Sequence, residues 1–229
     1  MNLHNFIKSR YAEQVKFFEN SDVFQRFDSG VSDREFYDNF IANLCQTHLK
    51  SPQILAFLYA VAPPQVATSI QHNMLEELGL DEQGISHPGL LHKLAQEAGF
   101  TKEMRSSLEL AAHEQLRQMC TEPLLYETLK DLGLSVLLEV TCFEWMLSRL
   151  AGRMGQALSQ YRGLSHESLE WFFHHSQVDI HHAEEGLNSV VKYIEYYEVD
   201  LDDLEAIIDI VFRENIFIKR YFGSIYLAL

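Results

Sequence analysis

The chain has 229 residues, 47% of them hydrophobic, and a formal net charge of −15. This length and apolar fraction suit a single globular domain over residues 1–229 and exclude a disordered or fibrous chain. The acidic balance disfavours nucleic acid and anionic membrane surfaces as partners, because binding phosphates requires clustered lysines and arginines.

The sequence predicts neither a membrane span nor a secretion signal. Charged residues interrupt every long apolar run, which leaves none near the roughly 18 to 20 residues that a spanning helix needs. The opening stretch MNLHNFIKSRYAEQ lacks a basic segment followed by an apolar block. Cys45, Cys120 and Cys142 lie far apart and form no CxxC pair, which is typical of reduced thiols. We therefore expect a cytoplasmic protein.

Helical periodicity dominates the start of the chain. Apolar residues at helical spacing predict a helix over residues 3–20. The segment SDRE at 32–35 predicts a capping box, in which Ser32 accepts a hydrogen bond from the Glu35 amide and a helix starts at Phe36.

Prolines divide the next segment. Pro52 is expected to end or kink the preceding helix, with Ser51 capping a short second piece. The pair Pro63–Pro64 stops that piece, and a further helix over 65–78 ends at Gly79.

The second half of the chain is also helical. Helices are predicted to start near Gly89 and at Thr101, to fill the nearly apolar segment 122–152, and to follow over 166–197 and 200–222. No strand or hairpin signal interrupts them. The sequence therefore predicts an all-α, single-domain bundle of seven to eight helices.

The stretch WFFHHSQVDIHHAEEG contains four of the 11 histidines. On a helix, His175, Asp179 and His182 share one face, because positions i, i+4 and i+7 lie above one another. Imidazole and carboxylate groups suit iron, zinc and manganese. Gly186 continues this track and leaves space beside it, while Trp171 can shield it from water. The alternative is a set of surface histidines on an acidic helix.

A metal site between helices also needs carboxylates from other helices. Glu139 and Glu144 lie in the nearly apolar segment SVLLEVTCFEWML, where a carboxylate is costly unless it is paired or bound to a cation. Neither has a basic residue three or four positions away. Local sequence therefore does not choose between them, and either can instead form a hydrogen bond to a neighbouring helix.

A third candidate region precedes these helices. Glu76 and Glu77 lie at the end of one predicted helix, and His87 stands directly before Pro88. A residue before proline favours extended geometry, which places His87 outside the helix and can aim its ring inward. Otherwise His87 caps a turn and the acidic pair is solvated.

Together these motifs resemble the haem-oxygenase-like di-iron oxidases and oxygenases, relatives of the PqqC, TenA and CADD proteins. The motifs are EELG…SHP, a glutamate in a dry helix, and HxxxDxxH, and they span residues 74–186. The resemblance implies a seven-helix bundle that holds two ferrous ions and uses dioxygen as co-substrate. The ligands it implies are Glu77, His87, Glu144, His175, Asp179 and His182. The loop between Glu77 and His87 is longer than in the CADD branch, so Glu76 stays an alternative to Glu77, as Glu139 does to Glu144.

The resemblance further implies oxidation of a small organic substrate that is amino-acid-like or fatty-acid-like. Tyr11, Tyr37 and Trp171 are candidate pocket residues, and no separate catalytic residue is assigned. A metal-free TenA-like hydrolase with Cys142 as nucleophile is one alternative. A CADD-like partner-binding protein is another, and the sequence also allows a homodimer.

Overall fold

The computed structural model describes residues 2–82, 84–121 and 128–226, except for the side chains of 121, 178–181 and 224–226. Within these ranges the chain forms helices and no strand, so the all-α prediction is confirmed. The helices are α1 Leu3–Glu19, α2 Asp22–Ser29, α3 Arg34–His48, α4 Ser51–Val61, α5 Pro64–Leu78, α6 His87–Glu97, α7 Lys102–Thr121, α8 Leu129–Ala157, α9 Glu170–Tyr197, α10 Leu201–Val211 and α11 Ile216–Tyr226, with a π-helical turn Leu158–Arg162 after α8.

The predicted count of seven to eight helices is too low, and two unexpected helix breaks account for part of the difference. Ser21 starts α2 directly after α1, because its side chain accepts a hydrogen bond from the Phe24 amide. The helix predicted over 200–222 is two helices. Asn215 breaks it by adopting a positive φ of 48°, and its Oδ1 then accepts from the Ile218 amide at the start of α11.

Two predicted caps are also wrong. Asp33, and not Ser32, caps α3 by accepting from the Phe36 amide at 2.9 Å, because α3 begins at Arg34 and Asp33 is the residue directly before it. The Ser32 hydroxyl is buried and forms no hydrogen bond with the described residues. Ser51 does not cap α4 but is its first residue, and its hydroxyl is directed to Glu77.

The position of His87 also differs from the predicted one. It is the first residue of α6 and does not lie outside the helix, because Ser86 takes the capping position and Pro88 fits the first turn. The predicted end of α5 at Gly79 is confirmed, since this glycine has a φ of 68°.

The two long helices α8 and α9 pack along each other through the centre of the molecule. α8 is buried on nearly all sides, as its apolar sequence predicts. α9 also contacts α1, α5 and α6. Residues at the end of α5 and the start of α6 therefore face the middle of α9.

No described helix is both long and apolar enough to cross a membrane. Cys45, Cys120 and Cys142 are free, and Cys45 and Cys142 are buried.

Candidate metal centre

Three side chains that are distant in sequence meet inside the bundle. Glu77 ends α5, His87 begins α6 and His175 lies in α9, and one ligand atom from each falls within 4.8 Å of the other two. Glu77 Oε1 is 2.8 Å from His87 Nδ1 and 3.9 Å from His175 Nε2. Both histidines are buried. One carboxylate and two imidazoles thus converge on one point.

The charge state of Glu77 is set by this surrounding. Burial by itself would raise the pKa of Glu77, but His87 and His175 hold the pKa well below its usual range. The Ser51 hydroxyl donates a hydrogen bond to the other carboxylate oxygen, Oε2. Glu77 is therefore an anion in a dry site, as a metal-binding carboxylate has to be.

The orientation of His175 is fixed by the backbone. Its Nδ1 lies 2.7 Å from the Trp171 carbonyl oxygen, which can only accept, so Nδ1 carries the proton. In the neutral ring Nε2 then presents its lone pair on the side of Glu77. Such an outer hydrogen bond is typical of histidines that bind metals. The Trp171 ring also covers His175, with 4.1 Å between ring centroids.

The neighbouring histidine supports the same cluster. The His174 ring packs edge-on against His87, with ring centroids 4.9 Å apart. Burial, with added repulsion from His87 and His175, lowers the pKa of His174 to about 4. His174 is thus neutral at physiological pH and adds no positive charge to the site.

A second group lies two turns further along α9. Glu76 Oε2 is 2.9 Å from His182 Nε2 and 3.4 Å from His72 Nδ1. Neither approach has the direction of a hydrogen bond, so this buried oxygen lacks a hydrogen-bond partner among the described residues. A buried carboxylate oxygen without a hydrogen bond is costly unless a cation satisfies it. The adjacent residues Glu76 and Glu77 therefore face two different imidazole groups.

Glu144 stands between these two groups. It lines one cavity with Glu77 and His175 and a second cavity with His182. Its Oε1 accepts a hydrogen bond from Asn73 Nδ2 at 2.5 Å. A Cβ atom on Gly186 would come within 2.9 Å of Glu144 Oε2, so the glycine is what admits this carboxylate to the α9 surface.

The alternative carboxylate, Glu139, has a different surrounding. Its Oε1 pairs with Arg220 of α11, at 2.8 Å from Nε and 2.6 Å from Nη2. Glu139 lines the same cavity as Glu77 but has a cationic partner of its own. The side chain of Asp179 lies outside the described residues.

The candidate pocket residues occupy different positions. Trp171 contacts His175 directly. Tyr11 donates or accepts a 2.6 Å hydrogen bond with Thr141, and Tyr37 donates to the Phe27 carbonyl at 2.9 Å. Neither tyrosine lines the two cavities that adjoin the cluster. Both belong to the core instead.

Cys142 is unsuited to act as a nucleophile. It is completely buried, and burial together with nearby Glu139 raises the pKa of its thiol well above the usual value. A reactive cysteine needs a lowered pKa and access to substrate.

Several side chains that complete the site cannot be recognised from the sequence. Ser51 donates to Glu77 and Asn73 donates to Glu144. Each of these pairs joins two different helices, so no helical spacing indicates it. Arg220 was missed because its partner lies 81 residues away in sequence.

The converging donors fit a metal ion. Carboxylate oxygens and imidazole nitrogens are suitable ligands for iron. Bonds of about 2.0 to 2.2 Å bridge donor atoms that are up to about 4 Å apart. The 3.9 Å between Glu77 Oε1 and His175 Nε2, too long for a hydrogen bond, lies within this reach.

Comparison with known proteins agrees with this chemistry. A family model described as iron-containing redox enzyme matches residues 38–208, a range that includes every candidate ligand. A search of curated proteins found no match. The matched range covers about three quarters of the chain and the all-helical structure fits a haem-oxygenase-like bundle. The chain belongs to the family of iron-containing redox enzymes.

Proposed function

We propose that this protein is a non-haem di-iron oxidase or oxygenase that uses dioxygen to oxidise a small organic substrate. The observation that carries the proposal is the convergence of Glu77, His87 and His175 beside a second carboxylate–imidazole group. One such group suits one cation. Two adjacent groups that share Glu144 along their boundary suit two.

Each ion would have its own set of ligands. Glu77, His87 and His175 would hold the first ion, and Glu144, Asp179 and His182 would hold the second. Glu76 is the alternative carboxylate at the second position, because its buried Oε2 lies beside His182.

The bound pair of ferrous ions would supply electrons for the reduction of dioxygen. The protein would orient the ligands through outer hydrogen bonds: Ser51 to Glu77, Asn73 to Glu144, and the Trp171 carbonyl to His175. Trp171 also excludes water from one side of the cluster, since it is buried and lies against His175. A substrate would lie in the cavity that Glu77, Glu144 and His175 line.

Iron binding tests the proposal. The purified protein, loaded with ferrous iron under argon and desalted, should carry close to two iron ions per chain in a colorimetric iron assay. Asp179→Ala should lose at least one of them, because it removes a ligand. Glu195→Ala on the exposed face of the same helix should keep both. Equal iron in all three proteins would remove Asp179 from the centre.

Oxygen consumption tests the reaction. Addition of oxygenated buffer to the ferrous protein should give uptake that a suitable amino acid or carboxylic acid accelerates, measured with an oxygen electrode. A protein that binds iron but consumes no oxygen with any such compound would instead be a CADD-like partner-binding protein. The metal-free hydrolase is disfavoured, because its nucleophile would be the inaccessible Cys142.

Two further statements stay predictions: that the protein forms a homodimer, and that its binding partner is a small molecule. Sedimentation of the iron-loaded protein tests the first of them.

A further inference from the structure

An ion pair lines the cavity beside the Glu77–His87–His175 cluster. Glu139 of α8 and Arg220 of α11 line this cavity together with Glu77, Glu144 and His175. Arg220 also lines an open groove on the outer surface. The pair therefore lies where a molecule would pass from solvent to the cluster.

The ion pair uses only part of each side chain. Both close contacts from Arg220, through Nε and Nη2, go to the same oxygen, Glu139 Oε1. Among the described residues, Arg220 Nη1 and Glu139 Oε2 form no hydrogen bond or ion pair. The side chains of Arg220 and Glu139 are 21% and 19% exposed, and both line the cavity. A guanidinium donor and a carboxylate acceptor thus stand next to each other without partners.

The rest of the cavity is small and largely apolar. Its volume is about 70 Å³, which is room for roughly five water-sized groups. Apolar side chains form its walls, among them Ile54, Leu55, Val140, Phe143 and Leu147. Lys50, the other cation at the cavity, is paired with Glu109 at 2.6 Å.

We propose that Arg220 and Glu139 bind the α-carboxylate and the α-ammonium group of a small apolar amino acid. Its side chain would extend along the apolar wall towards the Glu77–His87–His175 cluster. This inference rests on the proposed function, whose substrate class it names. The Arg220–Glu139 pair, called the clamp below, includes a residue outside the matched family range, because that range ends at residue 208.

Charge and size both favour this ligand. A zwitterion places one group of each sign against the pair and adds no net charge to a partly dry cavity, whereas a simple acid or amine leaves one half of the pair unmatched. A cavity of about 70 Å³ suits a short branched side chain, such as the isopropyl group of valine, better than the chain of a long fatty acid. The fatty-acid-like alternative is therefore the weaker one.

The test compares three ligands that differ in one group at a time. L-valine, isovalerate and isobutylamine are titrated calorimetrically into the ferrous protein under argon, and laurate serves as the fatty acid. L-valine should bind at least tenfold more tightly than the other three, because charge-assisted hydrogen bonds contribute roughly tenfold to a hundredfold each.

Variants then test which residue binds the carboxylate and which binds the ammonium group of the ligand. Arg220→Met should abolish the preference for L-valine over isobutylamine, and Glu139→Gln should abolish the preference over isovalerate. Arg220→Lys should restore part of the first preference. Lys219→Met, an exposed change on the same helix, should leave all affinities unchanged. All variants should keep the iron content of the parent protein, which excludes a loss through misfolding.

The outcomes separate this inference from the proposed function. Isovalerate or laurate binding as tightly as L-valine, or variants that weaken all ligands equally, would overturn the clamp. Iron binding and oxygen uptake driven by laurate would leave the proposed function intact. Selective L-valine binding by a protein that takes up no iron would keep the clamp and reject the di-iron centre.

Discussion

Neighbouring side chains in the candidate centre hold one another in position before any metal enters. Glu77 is bound on one oxygen by His87 and on the other by Ser51, and Glu144 is bound by Asn73. Such bonds lower the entropy cost of assembling the ligands around a cation. The exception is Glu76 Oε2, which is buried without a hydrogen bond. A metal ion would relieve the cost of that buried oxygen.

Substitution of the two glutamates of α8 tests which of them binds iron. Glu144→Ala should lower iron affinity by at least tenfold, because its carboxylate lies between the two donor groups. Glu139→Ala should keep the parent affinity, because Glu139 is paired with Arg220. Competition for ferrous iron with a chromogenic chelator measures both. If Glu139→Ala shows the larger loss, the ligand assignment moves to Glu139.

Packing between helices determines which candidate ligands meet, and the close packing of α8 on α9 brings Glu144 to the same cavity as His182. α9 carries His175 and His182 on one face, two turns apart. The absence of a side chain at Gly186 lets α8 approach this face. A Cβ atom there would meet Thr141 Cγ2 at 2.7 Å and Glu144 Oε2 at 2.9 Å. Both distances are shorter than normal contacts, so one helix or the carboxylate would have to move.

Gly186→Ala should therefore reduce stability and iron binding together. The expected loss is about 1 to 3 kcal/mol in the free energy of unfolding, measured by urea denaturation of the metal-free protein. The displaced Glu144 should also lower the iron content. Gly152→Ala is the matched control on α8, since its added Cβ would lie 3.5 Å from Ser176 Cβ, an ordinary contact. A stable Gly186→Ala protein with full iron content would contradict the close-approach argument.

The whole molecule combines a high negative charge with histidines that are neutral inside it. His48 lies among the rings of Phe143, Trp171 and Tyr221. Burial, aided by repulsion from His175, lowers the pKa of His48 to about 3. An unfolded histidine has a pKa of about 6.5. Between these two values the unfolded chain binds a proton that the folded chain does not, so stability falls as the pH falls.

The metal-free protein in chelator should accordingly lose stability on acidification. His48 alone should account for about 2 kcal/mol between pH 7 and pH 5, with His174 acting in the same direction. Urea denaturation across this pH range measures the slope. His48→Gln should flatten it, and the exposed His113→Gln should not. An unchanged slope in His48→Gln would show that other groups cause the acid sensitivity.

Much of this protein follows from its sequence, because the relevant signals are local. Helical periodicity is set within a few turns, so the all-α class, the bounds of α1 and α5 and the start of α7 were predicted closely. The common face of His175 and His182 follows from the helix repeat alone. The order of the motifs further identified the family.

Only the tertiary structure shows how the surroundings of the two carboxylates differ and where the helices end. Glu139 and Glu144 lie in equally apolar surroundings, and what distinguishes them is contact with Arg220 and Asn73 on other helices. The break at Asn215 and the position of His87 inside α6 likewise depend on how each turn is satisfied in three dimensions. Local sequence specifies which backbone conformation is favoured, whereas the partner of a buried charge is specified by packing between helices that are distant along the chain.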